Sequence, residues 1–153
     1  MPGQAVKRVA ALLAGVLLAV PVGTASAAPC APVGVWLTEI DFGGGQVEKV
    51  WQTYRSREFC HEGQIEGARA FGRGDWRRTG NRSWTYEVTV EFFDGAGTRS
   101  GHADMTGKAE LKPVRGNRFE TAHHVRFFDA GGTLVGEGEG PLTFTRVASG
   151  PSC

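Results

Sequence analysis

Helical periodicity is missing from this 153-residue chain: after the first 27 residues no stretch repeats its apolar positions with a helical spacing. That leaves strands as the regular structure. A long apolar run is also absent. The longest, Val9 to Val20, falls short of the roughly 20 residues that cross a bilayer as a helix. No zinc-ligand spacing, nucleophile elbow or phosphate loop occurs, so metal, acyl-enzyme and nucleotide chemistry lack their usual sequence carriers, and no cofactor is expected. Neither sign of charge is in excess. Beyond residue 27, 15 Lys and Arg face 16 Asp and Glu, a formal charge of −1. A nucleic-acid partner calls for a basic patch, and a surface membrane anchor for a polybasic one.

What stands at the start is a leader. Lys7 and Arg8 precede the apolar run, and Ala25-Ser26-Ala27 offers a small-x-small cleavage site, the pattern of a bacterial-type signal peptide over residues 1–27. The expected product is a secreted, extracellular single domain over residues 28–153, with no membrane span. Cysteine is scarce, with three residues in an oxidising compartment. Extending the first hairpin's register brings Cys30 close to Cys60 and favours a Cys30–Cys60 bridge. Cys60–Cys153 is the competing choice, and would tie the tail to the domain.

Glycine is abundant, at 23 residues, and it is patterned. Phe92-Phe93-Asp94-Gly95-Ala96-Gly97-Thr98 with Gly101 recurs as Phe127-Phe128-Asp129-Ala130-Gly131-Gly132-Thr133 with Gly136. Each copy is an alternating strand, an Asp-x-x-Gly turn and a second alternating strand. The Asp bonds its own downstream backbone, and the Gly takes the left-handed conformation of a turn with a following bulge. Such a turn pairs Phe93 with Thr98 and Phe128 with Thr133. Counting back sets Trp84 opposite Gly107, Tyr86 opposite Met105, Phe119 opposite Leu142 and His123 opposite Gly138. Aromatics facing glycines suit a strongly curved sheet.

Upstream, Gly34 to Phe42 reads as a strand, Val47 to Phe59 as a second, and Gln64 to Arg78 as a third that bends at Gly72-Arg73-Gly74. Counting the bent segment as one strand or two gives seven or eight in all. Short connections and recurring turn signals describe an all-β, antiparallel up-and-down β-barrel with a duplicated hairpin, closed to hide its edges. Alternation turns Trp84, Tyr86, Val88, Val90, Phe119, Thr121, His123 and Phe127 inward, with Gly136, Gly138 and Gly140 on the facing strand. It turns Glu87, His102, Asp104, Lys108, His124 and Glu137 outward.

The meander, with Gly34-Val35-Trp36 opening its first strand and Arg146 near the end of its last, resembles the lipocalin-like (calycin-type) small secreted barrels. The resemblance implies an arginine packed over the first-strand tryptophan. Avidin-like and allene-oxide-cyclase-like barrels share the pattern. Fold similarity alone assigns no activity.

Three functions follow from such a barrel. The favoured one is a carrier, with a small apolar molecule held among Trp84, Tyr86, Phe119, His123 and Phe127, and Arg69 as an inward anchor for a ligand carboxylate. A second is an isomerase or cyclase using the same cavity, with His123 and Tyr86 as its acid–base candidates. A third is a protein-binding or inhibitory module with a packed core, acting through loops at Gly43 to Gln46 and Cys60 to Gly63. His61-Glu62 is placed in that second loop, and no further ligands converge there to hold a metal. Each candidate has a plainer role: His123 as a buried histidine satisfied by Thr121 or Tyr86, Arg146 as a plug, and the tryptophans as core.

Overall fold

The computed structural model describes residues 32–41, 43–112 and 117–151. The expected leader, Cys30, Phe42 and Cys153 lie outside those residues, and with them the expected Cys30–Cys60 bridge. Eight strands follow one another: β1 (Gly34–Asp41), β2 (Val47–Tyr54), β3 (Glu58–Ile65), β4 (Ala68–Arg78), β5 (Ser83–Asp94), β6 (Arg99–Leu111), β7 (Arg118–Asp129) and β8 (Leu134–Val147). Each pairs with its successor, and β8 returns to β1 to close an antiparallel up-and-down barrel. Following the register from Trp36 through Gln52, His61, Gly72, Val90, Ala103 and Phe127 leads to Gly136, ten residues short of Arg146, the residue that pairs with Trp36 across the seam. Such a stagger tilts the strands and leaves an eight-stranded interior that side chains can fill or one small ligand can occupy.

The eighth strand comes from a place other than the bend at Gly72-Arg73-Gly74, which lies inside a continuous β4. A Cβ on Gly74 would collide with the Glu87 carbonyl, and one on Gly72 with β5 backbone, so these glycines let β4 lie closely against β5. The strand that the sequence pattern hid is β3. The chain turns at Arg55-Ser56-Arg57, where the Arg55 amide donates to the Glu58 carbonyl at 3.0 Å. Residues Cys60 to Gly63 are therefore strand, with His61 inward, rather than an exposed loop.

The two Asp-x-x-Gly turns are built as their residues demand. Gly97 and Gly132 have φ of 81° and 86°, their amides donate to the Asp94 and Asp129 carbonyls, and the Asp amides donate to the Thr98 and Thr133 carbonyls. The Asp94 carboxylate accepts from the Ala96 and Thr98 amides, and the Asp129 carboxylate from the Thr133 amide. The turn thus pairs Asp with Thr, so Phe93 meets Arg99, one residue past the expected partner. A bulge at Ser100, repeated at Val135, adds a second residue. Two one-residue shifts restore each side chain to its expected face and change only its neighbour. Tyr86 opposes Gly107, Trp84 opposes Ala109, His123 opposes Gly140, and Phe119 opposes Phe144.

The interior is unequal along its length. At the end where β1 begins and β8 finishes, Trp36, Tyr54, Phe59, Trp84, Phe119 and Phe144 are at most 1% exposed. Tyr54 stacks on Phe59 (ring centroids 4.7 Å apart) and meets Trp84 and Phe119 edge-on. Burying each such ring contributes roughly 1.5–3 kcal/mol, with about 0.5–1.5 kcal/mol more for each well-set aromatic pair. The end is capped by the Arg146 guanidinium, 4.3 Å above the Trp36 ring, which donates to the Val33 carbonyl. The Trp36 indole donates to the Pro32 carbonyl. At the other end, inward positions on the facing strands are small: Gly63, Ala70, Gly72, Gly101, Ala103, Gly136 and Gly138.

Candidate functional site

The closed and open halves meet at a polar floor. Gln52, buried on β2, accepts from the Tyr54 hydroxyl at 2.9 Å and hydrogen-bonds the Tyr86 hydroxyl. Tyr86 in turn shares a 3.2 Å hydrogen bond with Thr121 on β7. Burial pushes both tyrosine hydroxyls up. Paired and buried, they hold their protons and satisfy one another. The Tyr86 ring lies across Gly107, where a Cβ would strike it.

Above this floor stand two imidazoles, one alternating position further toward the open end on each side. His61 follows Phe59 on β3, and His123 follows Thr121 on β7. His61 is 6% exposed and its Nδ1 has no partner. The His123 Nδ1 is buried without a partner as well. Removal from water pushes His61 down to about 4, and repulsion from His123 adds to the shift. Burial also lowers His123, against the backbone of Gly140, which favours the proton. Both rings are therefore neutral at pH 7, each with a ring nitrogen to offer a ligand. An unsatisfied buried polar atom costs about 1–3 kcal/mol; the Trp84 Nε1 and one Arg146 guanidinium nitrogen at the packed end share this condition, and the two imidazoles are the pair that lies beside the open space at Gly140.

Beside His123, β8 provides space. Gly136, Gly138 and Gly140 face inward. A Cβ at Gly140 would meet nothing within 4 Å, one at Gly138 only Val125 Cγ1 at 3.4 Å, and one at Gly136 only Phe127 at 4.0 Å. The seam next to this strip is short: β1 and β8 pair only from Val35–Val147 to Leu37–Thr145. Beyond Leu37 the two strands no longer pair, and Pro141, which has no amide to donate, lies in the part of β8 that pairs with β7 alone. The barrel wall is thus unpaired between β1 and β8 beyond Leu37.

Glu48 completes the arrangement. It projects inward from β2, and its carboxylate takes the room that a side chain on Gly63 would need. Burial raises its pKa.

The expected ligand residues divide between the halves. Trp84, Tyr86 and Phe119, each at most 1% exposed, belong to the packed end and the floor. Only His123 and Phe127 face the open half; Phe127 is 38% exposed at the mouth. Arg69 is a correction. Gly63 pairs with Ala70 and Gln64 with Arg69, so Arg69 points outward, and its guanidinium lies 5.7 Å over the Phe93 ring. It cannot anchor a ligand in the barrel. The histidine satisfied by Thr121 or Tyr86 is corrected too, since those two hydroxyls bond each other. His61 and Glu48 were missed. The signal for His61 was its alternation with Phe59 and Gly63, hidden by the reading of Cys60 to Gly63 as a loop.

A shallow groove crosses the outer face over Thr85, Thr106, Lys108 and His124, with Glu87 and Glu139 beside Arg77 and Lys108; its mixed charge selects no partner. Among the described residues no group of three or more His, Cys, Asp or Glu is placed to hold a metal ion. No family model, curated protein or solved structure matches this chain.

Proposed function

We propose that the protein is an exported carrier that holds one small, mainly apolar molecule in the open half of the barrel. The observation that carries this reading is the empty inner face at Gly140 beside the unpartnered imidazole nitrogen of His123. Apolar walls would take the body of the ligand, and the neutral rings of His61 and His123 a hydroxyl or carbonyl at its end. Export rests on the pattern of residues 1–27. The Arg146–Trp36 contact supports the lipocalin-like resemblance. The enzyme alternative would use a neutral imidazole of His61 or His123 as general base, and the floor tyrosines, bonded to Gln52 and Thr121, leave it no free partner acid.

Native mass spectrometry of the exported protein, with thermal shifts across a panel of apolar alcohols and ketones, tests the reading. A reproducible adduct and a rise in melting temperature are expected. Gly140→Leu should fold with little change in stability, because its side chain enters open space, and should lose the adduct. A Gly140→Leu protein that binds as well as the parent would contradict the proposal.

A further inference from the structure

We infer that the molecule held in the open half carries a cationic nitrogen, a protonated amine or a quaternary ammonium, seated between the Glu48 carboxylate and the Phe92–Phe127 ring pair. The inference rests on the carrier reading and specifies its ligand. Glu48 is half-buried inside the barrel, and makes no hydrogen bond or ion pair among the described residues. The nearby basic residues look the other way: Lys49 pairs with Glu39, Arg99 with Glu91 and Arg126 with Glu137, all on the outer surface. A carboxylate taken partly out of water without a counter-charge is costly, and no group among the described residues relieves it.

The aromatic side of the seat lies at the same level. Gly63, over which the carboxylate sits, pairs with Ala70, and Ala70 pairs with Phe92. Phe92 and Phe127 stand with centroids 6.2 Å apart and planes 24° from parallel. The carboxylate and the ring pair are thus about two strand spacings apart, roughly 10 Å, with Ala70, itself 4% exposed, on the strand between them. An ammonium group there meets a negative charge on one side and the negative outer face of the stacked ring pair on the other. Its chain would run along Gly136, Gly138 and Gly140 to His123. An anionic amphiphile would be repelled by Glu48, and a neutral one would leave the carboxylate uncompensated. The buried, unpartnered nitrogen of His61 is an independent sign that this interior receives a ligand.

Calorimetric titration with three probes of one chain length tests the inference: decyltrimethylammonium, decan-1-ol and decanoate. The ammonium should bind about ten-fold more tightly than the alcohol, the combined scale of a desolvated cation–π contact and a carboxylate, and decanoate most weakly. Glu48→Gln should fold, since burial already disfavours the charge. It should lower the ratio of ammonium to alcohol affinity several-fold, leaving the share of the rings, whereas Glu39→Gln, on the outer face, should leave the ratio as it was. Ammonium and alcohol binding equally to the parent protein, decanoate binding most tightly, or a ratio that survives Glu48→Gln would each overturn the inference while leaving the carrier reading intact. No binding of any of the three would overturn both.

Discussion

The two inward histidines each leave a buried ring nitrogen, Nδ1, without a partner, whereas Gln52, Tyr54, Tyr86 and Thr121 satisfy one another. Their protonation is linked to folding. His61 titrates near 4 in the folded protein, against its ordinary value of 6.5. The unfolded chain therefore takes up the proton first as pH falls. Stability should be complete above about pH 6.5 and decline toward pH 4, by about 3 kcal/mol in all for His61, at about 1.4 kcal/mol per unit. His123 adds a loss of the same sign, and Glu48, whose pKa is raised, a gain as pH falls. Chemical denaturation of the parent and of His61→Leu at pH 7.5 and pH 4.5 separates these: the variant should lose most of the slope. Equal slopes would mean that His61 is solvated. At this scale much was legible. Alternation placed Trp84, Tyr86, Val88, Val90, Thr121 and His123 on the inner face, where they are. Glu48 was not legible, because one carboxylate on an alternating strand looks the same whether its strand faces water or the barrel.

Turns decided what could be read of the elements. Asp-x-x-Gly is unambiguous, and the duplicated hairpins were located to the residue. Their register was two residues off, one because the turn pairs Asp with Thr and one because the bulges at Ser100 and Val135 leave no mark in composition. Arg55-Ser56-Arg57 carries neither Gly nor Pro nor Asp, so β2 read as running through to Phe59 and β3 disappeared. Restoring β3 changes the reading of Cys60. It points outward, opposite to Phe59 and His61, yet is only 6% exposed, because Pro151 lies over it together with Trp51 and Thr53. Gly150 packs so closely on Trp51 and Val35 that a Cβ would clash. Peptide mapping without reduction should therefore recover Cys60 linked to Cys153. A Cys30–Cys60 peptide would show that the tail is held by packing alone.

As a whole the barrel separates two tasks. One half is filled by aromatic rings and capped by Arg146, and supplies the stability. The other mixes glycine and alanine with Val50, Val90 and Val125 on its inner face, ends its seam at Leu37, and leaves open space at Gly140. Eight-stranded barrels can be filled or hollow, and the choice was not legible in composition, since the same tryptophans serve either. It depends on how far the aromatics reach, which follows from the true register: with Phe119 opposite Phe144 the rings gather at one end and leave Gly136 to Gly140 uncovered.

The most direct test of that division is an NMR titration that follows the ring signals of the four histidines and the Trp84 indole while decan-1-ol is added. A half-open barrel predicts saturable shifts of His61 and His123, with the Trp84 indole and the outer-face His102 and His124 unmoved. Shifts confined to His102 and His124, or none at any ring, would mean that the open half of the barrel takes no ligand.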